Sequence, residues 1–344
     1  MNIDEHPILA TERLGPYLEA HIEGFKELCK AEKFPGGQSN PTYRLTAKSG
    51  EYVLRQKPPG KLLPSAHAVD REFRILTALS DTDIPLAHPH VLCVDDDVIG
   101  TMFYVMSYVP GRILWEPSLP NLTRKDRSAV FDDTVRVLAL LHCVDIDKAG
   151  LSDFGPAGNY YKRQIHRWSH QYRSSETEYI APMETLINSL SSKIPTNDEQ
   201  VCLIHGDYRL DNLIFHSEEP NILAVIDWEL STLGHAISDL AYFCMCLRMP
   251  PTGYIAGLGG IDREILGIPE ESQIIDRYCA LRGIKGIDHW PFYLAFSFFR
   301  LSAICQGVLK RALEGNASSR TAVRVGGMTR PLSEMGVEVL NEKG

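Results

Sequence analysis

The sequence LIHGDYRLDNLIF at residues 203–215 places a polar run between two apolar, strand-like flanks. Residues 213–215 and 223–226 are both short and apolar, and the turn-forming sequence SEEPN at 217–221 separates them. Burial of the flanks would hold the polar loop rigidly. The spacing therefore predicts a β-hairpin, with the polar loop directly before it and Asp227 directly after it.

Three oxygen-bearing side chains flank this predicted hairpin. Asp207 and Asn212 are five positions apart in the loop, and Asp227 follows the second strand. Because a hairpin brings its two ends together, we expect these side chains to converge. Two carboxylates and an amide oxygen suit Mg²⁺, which takes few protein ligands and completes its shell with water and phosphates. A rigid loop of this kind favours phosphoryl transfer, in which the protein contributes mainly positioning and electrostatics.

The first third of the chain has the pattern of a β-sheet domain. Thr42–Thr46 and Glu51–Gln56 are β-prone, and the turn-like linker AKSG joins them, which predicts a second hairpin. Apolar residues at three- and four-residue spacing predict a helix from about Ser65 to Leu79. Thr101–Val109 is typical of a buried strand, and Pro110-Gly111 after it indicates a domain boundary.

The rest of the chain is mainly helical in pattern. Apolar spacing predicts helices at 130–142, 186–190, 237–247 and 290–309. The last of these is the best candidate for a membrane span. It contains an arginine, a glutamine, a proline and two serines, so we interpret it as a buried core helix and expect no membrane partner.

The polar motifs resemble the aminoglycoside phosphotransferase family. The HGDxxxxN run at 205–212 is similar to that family's version of the kinase catalytic loop, and IDW at 226–228 is similar to its Asp-Phe-Gly segment. The resemblance implies that Asp207 accepts or orients the proton of a substrate hydroxyl, and that Asn212 and Asp227 hold Mg²⁺. An ordinary turn rich in aspartate and asparagine is the alternative for the first motif taken alone.

The same resemblance implies an α+β, protein-kinase-like fold with two lobes. Residues 1–110 would form an N-terminal nucleotide-binding lobe with a small antiparallel sheet and one helix. Residues 111–344 would form a larger, mainly α-helical C-terminal lobe for catalysis and substrate binding. ATP and Mg²⁺ are the implied cofactors, although the sequence leaves ATP against GTP open.

A further segment after the hairpin extends the resemblance. The sequence GHAISDL at 234–240 resembles the family segment Gly-Asp-Pro-x-x-Asp-Leu, with His235 and Ala236 in place of Asp-Pro. The resemblance implies that Asp239 holds the catalytic loop by hydrogen bonds to its backbone. A simple carboxylate at a helix N-terminus is the alternative. His205 is likewise expected to brace the loop rather than to carry a proton.

The resemblance also covers a set of nucleotide-binding residues in the first lobe. A loop of small residues before the first hairpin would bring backbone N–H groups to phosphates, although an ordinary turn fits it equally well and no GxxxxGK[ST] run occurs. An arginine replaces the lysine expected on the third strand, and a helix glutamate is its implied partner, with an exposed helix charge as the alternative. Backbone groups near the lobe boundary would bind adenine. The residues are Gly37, Gln38, Ser39 and Asn40 in the loop, Arg55 on the strand, Glu72 on the helix, and Ser107 and Val109 at the boundary.

A closer resemblance within the family narrows the class of molecule that would accept the phosphate. The runs GGQSNPTYRLT, YVLRQKPPGKLLPSAHAVDREF and HGDYRLDNLIF resemble the phosphotransferase domain that is fused to acyl-CoA dehydrogenases in some eukaryotic proteins. This implies a small-molecule hydroxyl substrate, either a hydroxyacyl-CoA or a hydroxy acid, at least as readily as an aminoglycoside. Arg163 and Arg300 are candidate substrate-binding residues. A solvated helix face is the alternative for Arg163, and a structural ion pair is the alternative for Arg300.

Charge and composition restrict the remaining partners. A formal net charge of −9 argues against a general binder of nucleic acid or anionic membranes. The eight cysteines include no CxxC pair, and the N-terminus lacks a signal pattern, so we expect reduced thiols and a cytoplasmic location. Either a monomer or a homodimer agrees with the sequence.

Two other functions stay open at this point. A non-catalytic nucleotide-binding pseudokinase is supported only by Arg55, since the sequence does not settle whether it fully replaces the lysine. A protein kinase is disfavoured, because eleven residues between Asp227 and Asp239 leave no room for a long activation loop.

Overall fold

The computed structural model describes residues 9–35, 40–58, 68–196, 201–253, 255–315 and 320–342. The chain divides into two compact units. The first comprises residues 1–112 together with the short segment 223–229, and the second comprises residues 113–222 and 230–344. The sequence pattern placed the boundary at Pro110-Gly111 and gave no indication that segment 223–229 belongs with the first unit.

The first unit is an antiparallel sheet with helices. Its helices are α1 (Thr11–His21), α2 (Val69–Leu79) and α3 (Asp96–Ile99), and its strands are β1 (Leu28–Lys33), β2 (Thr42–Ala47), β3 (Gly50–Gln56), β4 (Pro89–Cys93) and β5 (Phe103–Ser107). The strand order is β1-β2-β3-β5-β4, and every neighbouring pair is antiparallel. The β2–β3 hairpin confirms the prediction for residues 42–56. The described part of the predicted helix at 65–79 is α2, and residues 65–67 lie outside the described residues.

Alternating burial explains how this sheet is held. Successive residues of β2 point to opposite faces, and Tyr43, Leu45 and Ala47 are the buried set. They join an apolar core to which α1 contributes Leu14 and Leu18, four positions apart on one helix face. The sequence analysis did not predict α1, which therefore adds a helix to this unit.

The second unit is mainly helical. Its helices are α4 (Arg124–His142), α5 (Tyr160–Ser175), α6 (Ala181–Ser192), α7 (Ile237–Arg248), α8 (Arg263–Leu266), α9 (Glu271–Arg282), α10 (Trp290–Leu313), α11 (Arg320–Gly326) and α12 (Thr329–Asn341). The short strands along residues 112–234 are β6 (Arg112–Ile113), β7 (Cys202–Ile204), β8 (Leu213–Phe215), β9 (Ile222–Val225) and β10 (Thr232–Gly234). Four of these helices, α4, α6, α7 and α10, cover the predicted helical segments.

Helix α10 is the central helix of the second unit. It packs against α5, α6, α7, α11 and α12. By length and composition alone it could cross a membrane, yet 78% of its most apolar stretch is buried inside the protein. Its polar residues have partners there, since Gln306 Nε2 donates to the Ser175 carbonyl oxygen at 2.8 Å. The interpretation of this segment as a buried core helix agrees with these contacts.

Candidate active site

The polar loop at 205–212 is held between two buried strands. Strand β7 ends at Ile204, a 3₁₀ turn covers Leu210–Asn212, and β8 begins at Leu213. Strand β7 pairs antiparallel with β10, and the His216 amide donates to the Asn221 carbonyl oxygen across the turn after β8. Apolar flanks therefore fix both ends of the loop, as the sequence indicated.

Gly206 gives the loop a conformation that other residues adopt only under strain. Its φ is +84°, in the left-handed region that glycine tolerates. A Cβ atom at this position would lie 2.5 Å from the Leu230 carbonyl oxygen. The glycine therefore lets the loop pass directly against the backbone of the neighbouring segment.

Asp207 and Asn212 are in direct contact. Asn212 Nδ2 donates to the carbonyl oxygen of Asp207 at 2.8 Å and to its carboxylate oxygen Oδ2 at 2.9 Å. The amide of Asp207 in turn donates to Nδ1 of His205 at 3.2 Å. Because the Asn212 nitrogen makes both bonds, its side-chain oxygen takes part in neither. The two side chains thus present a carboxylate and an amide oxygen next to each other.

Asp239, in the first turn of α7, binds the backbone of this loop. Its carboxylate accepts from the His205 amide at 2.6 Å and from the Gly206 amide at 2.9 Å, and the residue is only 1% exposed. Burial alone would raise the pKa of Asp239, but His142 and the backbone amides hold it below its usual value. A charged, buried carboxylate therefore anchors the residues directly before Asp207.

A chain of side chains continues from Asp239 towards helix α9. His142 Nε2 lies 3.3 Å from Asp239 Oδ2, and His142 Nδ1 lies 2.6 Å from the Tyr278 hydroxyl. Arg282 Nη1 donates to that hydroxyl oxygen at 3.1 Å. This set of Arg282, Tyr278, His142 and Asp239 is named the support chain below.

The direction of every hydrogen bond in the support chain follows from its two ends. Arginine only donates, so the Tyr278 oxygen accepts from Arg282 and its proton goes to His142 Nδ1. Burial lowers the pKa of His142, which is therefore neutral, and its one ring proton lies on Nε2 facing the Asp239 carboxylate. Each side chain of the support chain thus donates a hydrogen bond to the next, from Arg282 through Tyr278 and His142 to Asp239.

Arg300 of α10 contacts the same loop. Its Nη2 donates to the Gly206 carbonyl oxygen at 2.7 Å, and its guanidinium carbon lies 5.8 Å from the Trp168 ring and 5.6 Å from the Tyr242 ring. Among the described residues its partners are a backbone carbonyl and two aromatic faces, not the carboxylate that the alternative of a structural ion pair would require. These contacts brace the loop, and a substrate-binding role for Arg300 stays a prediction.

Arg163, the other candidate for substrate binding, lies near the start of α5. Its Nη2 donates to the Pro156 carbonyl oxygen at 2.7 Å, and the residue is half-buried. The contact ties the helix to the loop before it. A role in substrate binding stays a prediction for this residue as well.

The first unit contains a separate group of charged residues around Arg55 of β3. Arg55 Nε lies 2.9 Å from Glu72 Oε2, and Arg55 Nη2 donates to Asp227 Oδ1 at 2.6 Å. Glu72 is only 1% exposed and also accepts from Asn40 Nδ2 at 2.8 Å and from the Tyr104 hydroxyl at 3.1 Å. Glu72 is therefore a buried partner of Arg55, not an exposed helix charge.

Burial and charge act against each other in this group. Burial raises the pKa of Glu72 to about 7, while the adjacent Arg55 opposes the rise. Burial alone would lower the pKa of Arg55, yet the surrounding acids raise it, so the guanidinium stays charged. Asp227 has a φ of +66°, which is rare for a residue with a side chain. Such backbone strain is often found at functional positions.

The remaining predicted nucleotide-binding residues are only partly described. Gly37, Gln38 and Ser39 lie outside the described residues. The Ser107 amide donates to the His88 carbonyl oxygen at 2.8 Å, so the sheet edge already uses this group. Val109 follows the end of β5 and is half-buried. Adenine binding by these two residues stays a prediction.

The predicted metal ligands are oxygen donors. Within the described ranges, no group of three or more His, Cys, Asp or Glu side chains is arranged to hold a metal ion. Asp207 and Asn212 of the second unit, and Asp227 of the first, carry carboxylate and amide oxygens, the donor type that Mg²⁺ prefers. Mg²⁺ usually takes one or two protein carboxylates and completes its shell with phosphates and water, so these residue types suit the ion, and binding of Mg²⁺ by them stays a prediction.

Sequence reasoning missed Tyr104, His142, Tyr278 and Arg282. Tyr104 faces Arg55 across the β3–β5 pair and so could have been found from strand register alone. His142 ends an apolar helix, where a lone histidine gives little signal. Tyr278 and Arg282 are four apart on α9, but nothing in their local sequence indicates the loop that they support.

Comparison with known proteins gives consistent matches over most of the chain. The model of the phosphotransferase enzyme family matches residues 30–265. A crystal structure of a Ralstonia eutropha JMP134 protein, assigned to the aminoglycoside phosphotransferases, is 44% identical to this chain with a TM-score of 0.89. The match covers 97% of this chain and 98% of that one.

Two further matches extend the comparison. Acyl-CoA dehydrogenase family member 10 of Mus musculus is 45% identical over 328 residues, which is 95% of this chain but only 30% of the mouse protein. The structure of spectinomycin phosphotransferase with ADP and spectinomycin covers 97% of this chain and 99% of its own, with a TM-score of 0.62. At 16% identity this last match shows the fold alone.

Proposed function

Because the chain belongs to the phosphotransferase enzyme family, we propose that it transfers the γ-phosphate of ATP to a hydroxyl group of a small molecule. The observation that carries the proposal is the contact between Asp207 and Asn212, in a loop whose backbone the buried Asp239 holds. Such preorganisation suits phosphoryl transfer, because the protein contributes positioning and electrostatics rather than covalent chemistry.

Each residue of the loop has a separate task in this proposal. Asp207 accepts the proton of the acceptor hydroxyl through its carboxylate. Asn212 and Asp227 would hold Mg²⁺ through their side-chain oxygens, and the bound ion would neutralise charge on the phosphate oxygens. Asn212 also orients the Asp207 carboxylate, since its Nδ2 donates to Oδ2. Proton acceptance and metal binding therefore involve adjacent groups.

The nucleotide would be bound by the first unit. Arg55 carries a fixed charge, and its planar head has enough N–H groups to keep Glu72 and still contact a phosphate. Asn40, with Gly37, Gln38 and Ser39 before it, would complete the phosphate contacts. Backbone groups at Ser107 and Val109 would bind adenine.

For the acceptor we propose a hydroxyacyl-CoA or a hydroxy acid. The support is the 45% identity to part of a protein that is named for acyl-CoA dehydrogenation, although the chain spans only 30% of that protein. An aminoglycoside is the alternative acceptor, supported by the 44% identical Ralstonia protein. A non-catalytic nucleotide-binding module is the third candidate and predicts no turnover.

The proposal is tested by measuring ADP release with Mg²⁺ and ATP across a panel of hydroxyacyl-CoAs, hydroxy acids and aminoglycosides. The variant Asp207→Asn should lower kcat by about 10²- to 10⁴-fold, the usual contribution of a positioned general base. Asp132→Asn, at an exposed position of α4, is the matched control and should retain wild-type kcat. Unchanged transfer in Asp207→Asn would exclude the assigned role, and nucleotide binding without turnover on any acceptor would favour the non-catalytic module.

A further inference from the structure

A cavity of about 360 Å³ adjoins the catalytic loop within the second unit. It is lined by the segment after β6, by α7, by the loop that follows α7 and by residues 209–211 of the catalytic loop. We name it the loop pocket. None of the residues described above as binding the nucleotide or the metal lines it.

The lining of the loop pocket is predominantly apolar. Leu210, Phe243, Leu247 and Ile255 contribute buried apolar side chains. Burial raises the pKa of the lining thiol of Cys246 to about 12, so this group is neutral at physiological pH. A pocket of this composition binds apolar groups, because their transfer from water is favourable.

The loop pocket opens next to the residue that receives the acceptor proton. Arg209 lines the pocket, and its Nε lies 3.7 Å from Asp207 Oδ1. Trp115 also lines it and is 71% exposed, an unusual position for a large aromatic side chain. A molecule with one end in this pocket would therefore have its other end close to Asp207.

Arg209 places a fixed charge beside this apolar site. Its Nη2 lies 2.8 Å from Asp211 Oδ2, and its buried Nε faces Asp207. Nearby carboxylates raise the pKa of Arg209 despite its burial, so it stays charged. Because both carboxylates are close to it, the guanidinium marks the boundary between the apolar pocket and the polar catalytic loop.

We propose that the loop pocket binds an apolar segment of the acceptor, which is therefore an amphipathic molecule whose hydroxyl group lies near Asp207. This inference rests on the proposed function and narrows its substrate class. A cavity of about 150 Å³ holds the six carbons of benzene, so 360 Å³ has room for roughly fourteen carbons. A polycation would find one carboxylate here, that of Asp211, already paired with Arg209.

The first test is a homologous series of straight-chain hydroxy acids and their CoA thioesters with roughly four to eighteen carbons. Each buried methylene should raise kcat/KM by about fourfold, which corresponds to about 0.8 kcal/mol, until the pocket is filled. Beyond roughly fourteen carbons the gain should stop. Equal kcat/KM at all lengths would overturn the inference.

The second test fills the pocket. Ala256 lines it and is partly exposed, so Ala256→Phe adds volume without overpacking the buried core. The ratio of kcat/KM for a ten-carbon acceptor to that for a four-carbon acceptor should fall at least tenfold. Ala149→Phe is the matched control, because Ala149 is also partly exposed but does not line the pocket. It should leave this ratio unchanged, and equal ratios in the two variants would contradict the inference.

A binding measurement separates this inference from the proposed function. Decanoate, which lacks a hydroxyl, should bind the full chain in calorimetry without nucleotide, and Ala256→Phe should weaken this binding at least tenfold. If decanoate binds in this way but no acceptor is phosphorylated, the pocket stands and the proposed function fails. If transfer occurs without dependence on chain length, the function stands and the pocket assignment fails.

Discussion

Removal of one hydroxyl group, in the variant Tyr278→Phe, tests the support chain. In the structure this hydroxyl donates to His142 Nδ1 at 2.6 Å and accepts from Arg282 at 3.1 Å. Phenylalanine keeps the ring and leaves no cavity, so the change affects hydrogen bonding alone. The His142 nitrogen is buried and would lose its donor, at a cost of about 1–3 kcal/mol.

Loss of the hydrogen bond from Arg282 should add little to this cost. Its side chain is partly exposed, so it can turn to water when the tyrosine oxygen is absent. We therefore expect Tyr278→Phe to lower the free energy of unfolding by about 2 kcal/mol. Histidine ¹⁵N NMR adds a second readout, because the wild-type His142 should carry its proton on Nε2.

The matched control is Tyr172→Phe. The Tyr172 hydroxyl is also buried, but no partner for it occurs in the described part of the chain. Removal of the Tyr172 hydroxyl should leave the free energy of unfolding unchanged or raise it slightly, because the folded variant no longer buries a polar group without a partner. Urea unfolding of both variants at neutral pH gives the comparison. Equal stabilities of the two variants, or a proton on Nδ1 of His142, would refute the support chain as described.

Three further changes test other parts of the site. Glu72→Gln tests the raised pKa of Glu72. Because this pKa is raised from 4.5 to about 7 in the folded protein, protonation of Glu72 stabilises the fold at low pH. That stabilisation is lost as the pH rises through about 7. The unfolding free energy of the wild type relative to this variant should therefore fall by about 2–3 kcal/mol between pH 5 and 8, and parallel pH profiles would contradict the assignment. Gly206→Ala should destabilise by more than Gly260→Ala in thermal melts, because both have positive φ but only the first would place a Cβ against the Leu230 carbonyl. Asp239→Asn should cost about 3 kcal/mol in urea unfolding, since it removes charge-assisted bonds to two backbone amides.

Local sequence patterns were sufficient to predict structure within a single hairpin or a single helix. The β2–β3 hairpin follows from two β-prone segments and a short turn, and it fixes Arg55 on its strand. Glu72 lies three positions after Val69 and three before Ile75, so helical spacing alone puts it on the buried face of α2. The pairing of Arg55 with Glu72 could thus be predicted from family resemblance together with two local elements.

Contacts between distant segments were not predictable in this way. His142 and Tyr278 are 136 positions apart, and only the packing of α4 against α9 brings them together. The partner of Arg300 is a carbonyl group, and a carbonyl is present at every residue, so side-chain types give no indication of it. Helix α1 was missed because its buried face rests on few residues, chiefly Leu14 and Leu18, and it contains Pro16.

Arg55 shows why a departure from a family pattern has to be judged with its partners. A lysine has one compact ammonium group, whereas arginine has five N–H donors on a planar head. Here one side of that head faces Glu72 and another faces Asp227, two carboxylates in different directions. Glu72 is further held by Asn40 and Tyr104, so it does not depend on Arg55 alone. The surroundings thus fit an arginine, and its presence carries little weight as an argument for a non-catalytic module.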